Sequence, residues 1–256
     1  MVLTALTTAA RRNTADRSSV LVNIVFYLIV ATVLSALWRA AAEANGGEIV
    51  GYSMVAVTWY ALAAEAATVS LNMRMIEVVC DDIASGAVAV ELLRPASVLG
   101  LRISWAVGAA LPRLGVCCLT AAVLGPIIAG PPTSAVGAAL ALPALALAIT
   151  CNLVAQHAVA SVAFWTRDVR AIWFVYQKIV FVLGGMILPL QLLPDALERV
   201  AMVLPFMAMA YVPSRLASGS VEPWLLGLQV VWLVALLGVA RVAFGAGERR
   251  LQVVGG

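Results

Sequence analysis

Residues 134–166, SAVGAALALPALALAITCNLVAQHAVASVAFWT, contain no formally charged side chain. About 20 apolar residues suffice for a helix to cross a bilayer, so this run either crosses at a strong tilt or extends beyond the membrane. The whole chain of 256 residues has the same character, since 63% of it is hydrophobic and 11% charged. In soluble domains about 45–50% of the residues are hydrophobic and about 25% are charged. The composition therefore predicts an integral membrane protein.

Five more apolar stretches accompany this run. They cover residues 20–38, 51–71, 103–124, 171–189 and 223–244. Gly125-Pro126 and Gly130-Pro131-Pro132 predict a short turn before residue 134. We therefore expect an all-α membrane protein with six transmembrane helices, which form one domain over residues 1–256.

The segment between the last two spans, residues 190–222, is apolar in pieces and is broken by Pro194, Pro205 and Pro213. Its apolar pieces are too short to cross, and segments of this length are usually interfacial or re-entrant. We predict two short half-helices that enter the membrane and return on the same side.

The distribution of basic residues predicts the orientation. Twelve of the sixteen lie in segments on one side of six spans: Arg11, Arg12, Arg17, Arg74, Arg94, Arg102, Arg167, Arg170, Lys178, Arg241, Arg249 and Arg250. The other side has Arg39, Arg199 and Arg215, and Arg113 lies within a span. Because basic residues concentrate in cytoplasmic loops, both termini are predicted to be cytoplasmic.

Several chemistries are excluded by composition. A P-loop needs a lysine after a glycine-rich turn, but the one lysine, Lys178, lies in FVYQKI. An HExxH zinc site needs two histidines, and His157 is the only one. We expect no catalytic residue, metal or cofactor in this chain.

The segment from Met73 to Pro95 is the longest polar interval. Arg74, Glu77, Asp81 and Ser85 recur every three or four residues, whereas apolar side chains fill the opposite face. This pattern predicts an amphipathic helix at the membrane surface. Two interpretations remain open: an ordinary interfacial loop helix, or a docking surface for a soluble partner.

The same segment resembles a known family. Ile83-Ala84-Ser85-Gly86 followed by Leu92-Leu93-Arg94-Pro95 is similar to a signature of ABC type-2 exporter permeases, the membrane subunits that work with a separate ATPase. Other positions agree in order and spacing: Leu37-Trp38, Gly51-Tyr52, Phe164-Trp165, Gly184-Gly185-Met186-Ile187-Leu188-Pro189-Leu190, Leu204-Pro205-Phe206 and Tyr211-Val212-Pro213.

The resemblance implies a permease that exports its substrate from the cytoplasm across a prokaryotic cytoplasmic membrane. The apolar, weakly charged interior favours an amphiphilic substrate, such as a drug, a lipid-linked compound or a peptide. The partner ATPase would bind ATP and Mg, and a second permease, of the same or a different chain, would complete the path. The segment between spans two and three would be the coupling helix against the ATPase. Its implied contact residues are Glu77, Asp81, Asp82, Ser85, Gly86, Glu91 and Arg94.

Three ionisable residues lie within the predicted spans: Glu65, Arg113 and Lys178. Each is roughly 10–17 Å from the cytoplasmic end of its helix, so their depths overlap. Glu65 and Arg113 could form an ion pair, or Lys178 could extend to the interface while Arg113 faces a polar protein interior. In either case they belong to the transport path or to an intramembrane charge network.

Two further alternatives remain open. Glu65 could carry a proton in an ion-coupled secondary transporter, although six spans without inverted repeats are few for that mechanism. His157, close in sequence to Asn152 and Gln156, could bind a proton or a ligand, or could simply be a packing residue.

Overall fold

The computed structural model describes residues 2–15, 17–44, 46, 48–49, 51–71, 75–92, 97–166 and 169–254. The α-helices are α1 Val2–Ala15, α2 Arg17–Ala44, α3 Met54–Val69, α4 Met75–Ala84, α5 Ala87–Leu92, α6 Val98–Ala129, α7 Ala135–Ala160, α8 Arg170–Leu183, α9 Asp195–Val203, α10 Tyr211–Ala217 and α11 Trp224–Val254. Short 3-10 helices cover Ser161–Phe164, Leu190–Leu192 and Pro205–Met209. Strands β1 Glu48–Ile49 and β2 Tyr52–Ser53 form a small antiparallel hairpin. All other regular elements in the described ranges are helices.

Four helices in the described part of the chain are long and apolar enough to cross a membrane. They cover Leu21–Ala44, Val98–Ala129, Ala135–Phe164 and Trp224–Arg250. The predicted second and fifth spans correspond to shorter apolar helices, α3 with 16 residues and α8 with 14. At 1.5 Å per residue these are about 24 and about 21 Å long, less than a hydrocarbon core of about 30 Å.

Helix α7, within the uncharged run of residues 134–166, is the central element. It packs against α3, α4, α6, α10 and α11. The sequence explains where the helix begins. The Ser134 side chain accepts a hydrogen bond from the Gly137 backbone amide, the usual arrangement of a helix N-cap. Gly137 also permits close contact, since a Cβ there would lie 2.7 Å from the Leu216 carbonyl oxygen of α10.

Helix α1 packs along α6. A Cβ on Gly108 of α6 would collide with the backbone of Leu6, so the missing side chain allows the two helices to touch. The sequence gives only weak amphipathic periodicity before span one, and the stability of α1 comes from this tertiary contact.

The turn predicted at Gly125-Pro126 is wrong, because α6 continues through both residues to Ala129. The chain turns at Gly130, where φ is 90°, so the Gly130-Pro131-Pro132 part of the prediction is confirmed. Gly125 has a packing role, since the Trp59 ring occupies the space that a Cβ would need.

Residues 190–222 form a succession of short helices whose boundaries follow the prolines. Pro194 precedes α9, Pro205 begins a 3-10 helix, and Pro213 lies in the first turn of α10. Proline is tolerated at these positions because the first backbone amides of a helix have no partner within it. The predicted breaks are confirmed.

Two of the buried clusters matter for function. One surrounds Tyr60 where α3 begins and includes Tyr52, Leu190 and Tyr211. The other includes Ile76, Val79 and Ile83 of α4 together with Phe164 and Phe244. These two clusters hold α3, α4 and α10, and with them the polar side chains of those helices, in fixed positions.

Candidate functional site: the α4–α5 segment and its contacts

A glycine turn joins α4 to α5. Gly86 has a φ of 77°, in the left-handed region that non-glycine residues rarely adopt. The Ser85 and Gly86 amides donate to the carbonyls of Asp81 and Ile83 at 2.9 and 3.2 Å, which caps the end of α4. Gly86, predicted as a partner contact, therefore has a conformational role in the chain itself.

Helix α4 has the two faces that its periodicity predicts. Ile76, Val79 and Ile83 are buried, and α4 packs on α7 and on the 3-10 helix Ser161–Phe164. Glu77, Asp81 and Ser85 are exposed on the opposite side. Cys80 is only partly exposed, and burial, with added effects from Asp81 and Glu77, raises the pKa of its thiol to about 11.

Arg102, near the start of α6, binds both short helices. Its Nε lies 2.7 Å from Oε2 of Glu91 in α5, and its Nη2 lies 2.8 Å from Oδ2 of Asp82 in α4. The Arg102 side chain is 12% exposed, and those of Asp82 and Glu91 are 34% and 33% exposed. We call these three residues the Arg102 cluster. Such charge-assisted bonds are stronger than neutral ones, so they fasten α4 and α5 to α6.

The residues predicted to contact an ATPase therefore separate into groups. Glu77, Asp81 and Ser85 lie on the exposed face of α4, whereas Asp82 and Glu91 are engaged by Arg102. Arg94 lies outside the described residues. No local pattern predicts the Arg102 pairing, since its partners lie 11 and 20 residues away on separate helices.

A cavity of about 580 Å³ lies beside the Arg102 cluster, within the range of about 300–1,000 Å³ that is typical of ligand sites. Its polar lining includes Ser70, Asp82, Glu91, Arg102, Arg113 and His157. Its apolar lining includes Val78, Leu101, Trp105 and Leu153. This mixed wall suits a molecule with both apolar and polar parts.

The three intramembrane charges lie on separate helices, α3, α6 and α8. Glu65 is 9% exposed in α3, with Tyr27 and Cys117 among its electrostatic neighbours. The ion pairs found among the described residues do not include Glu65 with Arg113, so that pair stays a prediction. Lys178 is exposed, and its Nζ lies 5.0 Å from the ring centroid of Phe174 and 5.6 Å from that of Phe181.

His157 is 3% exposed and its Nδ1 lies 2.8 Å from the Leu153 carbonyl oxygen. Because a carbonyl only accepts, this nitrogen carries the hydrogen. The ring lines the large cavity and is held there by this hydrogen bond. Among the described residues, no group of side chains could hold a metal ion with it.

A second polar group, which no sequence pattern predicts, lies where α3 begins. Arg215 of α10 donates from Nη1 to the Tyr52 hydroxyl at 2.9 Å and from Nε to Glu222 Oε1 at 3.3 Å. Tyr52 donates to Gln191 Oε1 at 3.4 Å, and Gln191 in turn donates to the Tyr211 hydroxyl. We call these five residues the Arg215 cluster. Burial raises the pKa of Tyr52, and the adjacent Arg215 guanidinium opposes that shift.

The Arg102 and Arg215 clusters lie beyond opposite ends of α3. Tyr52 directly precedes the helix, whereas Ser70, which caps its other end, shares the large cavity with Arg102. Polar groups therefore fasten short helices beyond both ends of α3, around an apolar bundle that is typical of a multi-pass membrane protein.

The comparisons with known proteins name the class. The model of the family described as ABC-2 family transporter protein matches residues 21–255. The chain belongs to this family and is thus the membrane component of an ABC transporter, a role that implies association with an ABC ATPase subunit. A search among curated proteins gives no significant match.

Proposed function

We propose that this chain is the membrane-spanning subunit of an ATP-driven exporter. It moves an amphiphilic substrate, such as a drug, a lipid-linked compound or a peptide, out of the cytoplasm by alternating access. The attachment of α4 and α5 to α6 through Arg102 carries this proposal. Family membership does not favour an ion-coupled carrier based on Glu65.

In this proposal, α4 is the coupling helix. A moving ATPase can transmit force only through a stiff element with discrete positions. The exposed acidic face of α4 offers Glu77 and Asp81 to a partner, while Asp82 on the same helix is bound to Arg102. Displacement of α4 would therefore pull directly on α6.

Six spans complete the proposed topology, with both termini in the cytoplasm of a prokaryote and residues 1–256 acting as one permease domain. The apolar character of α3 and α8 supports their crossing, because protein packing or local thinning of the bilayer compensates for a short helix. Residues 190–222 form the re-entrant hairpin at the outer surface in this proposal, and their short helices fit that role.

A second permease, identical or different, is part of the proposed assembly. The ATP and Mg belong to the ATPase subunits, and the large cavity beside Arg102 supports an amphiphilic substrate because its wall combines apolar side chains with charged ones.

The test is capture of the full chain, co-expressed with its genomic neighbours, from a mild detergent, followed by mass spectrometry and assay of ATP hydrolysis. Recovery of an ATPase with Walker motifs is expected. The double variant Glu77→Lys and Asp81→Lys should lose it, because both side chains lie on the exposed face of α4.

The matched control is Glu43→Lys with Asp195→Lys, which reverses two exposed carboxylates elsewhere in the described structure. It should retain the ATPase. A wild-type chain that captures no ATPase, or a control that loses it to the same degree, would refute the proposed coupling surface.

A further inference from the structure

A buried group of polar side chains connects α7 and α8. The Asn152 Oδ1 atom accepts hydrogen bonds from Gln156 Nε2 at 2.9 Å and from the Tyr176 hydroxyl at 3.1 Å. These three side chains are 7%, 2% and 9% exposed. Polar groups within membrane spans are costly and commonly serve a function.

One acceptor in this group has no donor. Gln156 Oε1 is buried and has no hydrogen-bond partner among the described residues. Gln156 lines a narrow groove between α3, α7 and α8. The groove holds about 30 Å³, room for a water molecule or a hydroxyl. A donor from outside the chain would satisfy this oxygen.

A cation lies beside the same groove. Phe181 lines the groove, and the Lys178 Nζ is 5.6 Å from the centroid of its ring. Lys178 is exposed, and no carboxylate in the described structure lies within ion-pair distance of it. Its attraction to the aromatic faces only partly replaces an anion.

Lys178 is a cation surrounded by exposed apolar side chains. The exposed neighbours on α8 include Phe174, Val175 and Val182. The exposed faces of α2 and α11 carry side chains such as Val25, Ile29, Val231 and Val234, which suit lipid. A cation on an apolar helix face requires a polar partner or an aqueous path, and Lys178 places such a cation among the exposed apolar side chains of α8.

We propose that the exposed face of α8 and its groove bind the headgroup of an anionic amphiphile that carries a hydroxyl group near the anion. Lys178 pairs with the anion, Phe174 and Phe181 contact the apolar part, and Gln156 Oε1 accepts a hydrogen bond from the hydroxyl inside the groove. The amphiphile itself stays on the helix face, because the groove admits only a small group. This inference rests on the proposed function and specifies its substrate class.

The test measures binding of two fluorescent short-chain lipids with identical acyl chains to the purified complex of the full chain with its ATPase. Phosphatidylglycerol has a net anionic headgroup with hydroxyls, whereas phosphatidylcholine has neither. Fluorescence anisotropy gives both affinities. Wild type should bind phosphatidylglycerol at least about thirtyfold more tightly, about tenfold from one partly desolvated ion pair and about threefold from the hydroxyl.

The variants separate charge from shape. Lys178→Gln should reduce the preference between the two lipids about tenfold, leaving the part that the hydroxyl supplies, and Lys178→Arg should keep most of it. Gln156→Leu should weaken binding of phosphatidylglycerol about threefold to tenfold, through loss of one acceptor. Arg199→Gln removes an exposed cation of α9 and should change neither affinity.

Equal binding of both lipids by the wild type overturns the inference, as does a Lys178→Gln variant that keeps the wild-type preference. Intact assembly on size-exclusion chromatography shows that each variant is folded. Capture of the ATPase is scored separately, so a complex that hydrolyses ATP but has no headgroup preference refutes this inference and leaves the proposed function standing.

Discussion

The Arg102 cluster and the Arg215 cluster hold short helices by different means. Arg102 joins α4 and α5 to α6 through two carboxylates. Arg215 bonds to Tyr52 and Glu222, but the tyrosines around it also pack on one another. The Tyr60 ring lies 5.9 Å from that of Tyr52 and 6.4 Å from that of Tyr211, between centroids.

The difference indicates at which end of the bundle the loss of one arginine charge destabilises the attachment of the short helices. Ring packing adds to hydrogen bonding at the Arg215 cluster, so its arginine has support from neighbours. The Arg102 cluster depends on charge-assisted bonds between three separate helices. A change at one residue can therefore release α4 and α5 from α6. This property suits a helix that moves during transport.

The largest effect is expected where ring packing is removed. Tyr60 is 1% exposed and donates to the Gly185 carbonyl, so Tyr60→Ala leaves a cavity and an unpaired acceptor. We expect a loss of about 3–5 kcal/mol of stability, measured as a fall in thermal midpoint in detergent. Tyr60→Phe is the control and should lose much less. Equal losses would show that the hydroxyl, and not the ring, stabilises this end.

The second effect tests the dependence on charge. Arg102→Ala leaves Asp82 and Glu91 without their cation, and we expect α4 to detach more easily by about 2 kcal/mol. This value is below that of a fully buried pair because both carboxylates are about one-third exposed.

Alkylation of Cys80 measures that detachment, in a chain whose other three cysteines are alanine. Its raised thiol pKa of about 11 keeps it protonated and slow near neutral pH. Arg102→Ala should increase the rate roughly tenfold or more. Arg241→Ala, at an exposed position of α11, should not. An unchanged rate in Arg102→Ala would show that apolar packing alone seats α4.

A third change acts on the turn that brings Glu91 to Arg102. A side chain at Gly86 would meet no atom within 4 Å, so Gly86→Ala costs only its left-handed backbone conformation, about 1 kcal/mol. Hydrogen exchange in α4 and α5 should accelerate about fivefold. Gly115→Ala, at an equally open helical position, should not accelerate it. Equal exchange in both variants would contradict the role of the turn.

The smallest effect is expected for Arg215→Ala. Its side chain is 31% exposed, and the packed tyrosines remain, so we expect a loss of about 1 kcal/mol. Thermal unfolding compares it with Arg102→Ala under the same conditions. If Arg215→Ala proves the more damaging of the two, the contrast between the clusters is wrong.

Sequence periodicity predicted the faces of α4 correctly because side chains three and four residues apart share one helix face. It could not predict that Asp82 turns to Arg102, because the two lie on different helices. Depth alone also suggested the pairing of Glu65 with Arg113, which the ion pairs of the described residues do not include. Equal depth in a bilayer does not give the rotation of each helix about its axis, and packing with neighbours decides that rotation.

The sequence by itself determined a helical membrane chain, its proline-broken segment, the amphipathic α4 and the resemblance that family membership confirms. These follow from composition and local spacing, which each segment carries alone. Only the tertiary structure decided that α1 lies on α6, that Arg102 binds two short helices, and that Lys178 lies beside the groove of Gln156. Each depends on how separate helices pack, because contacts between distant segments are set by their mutual fit.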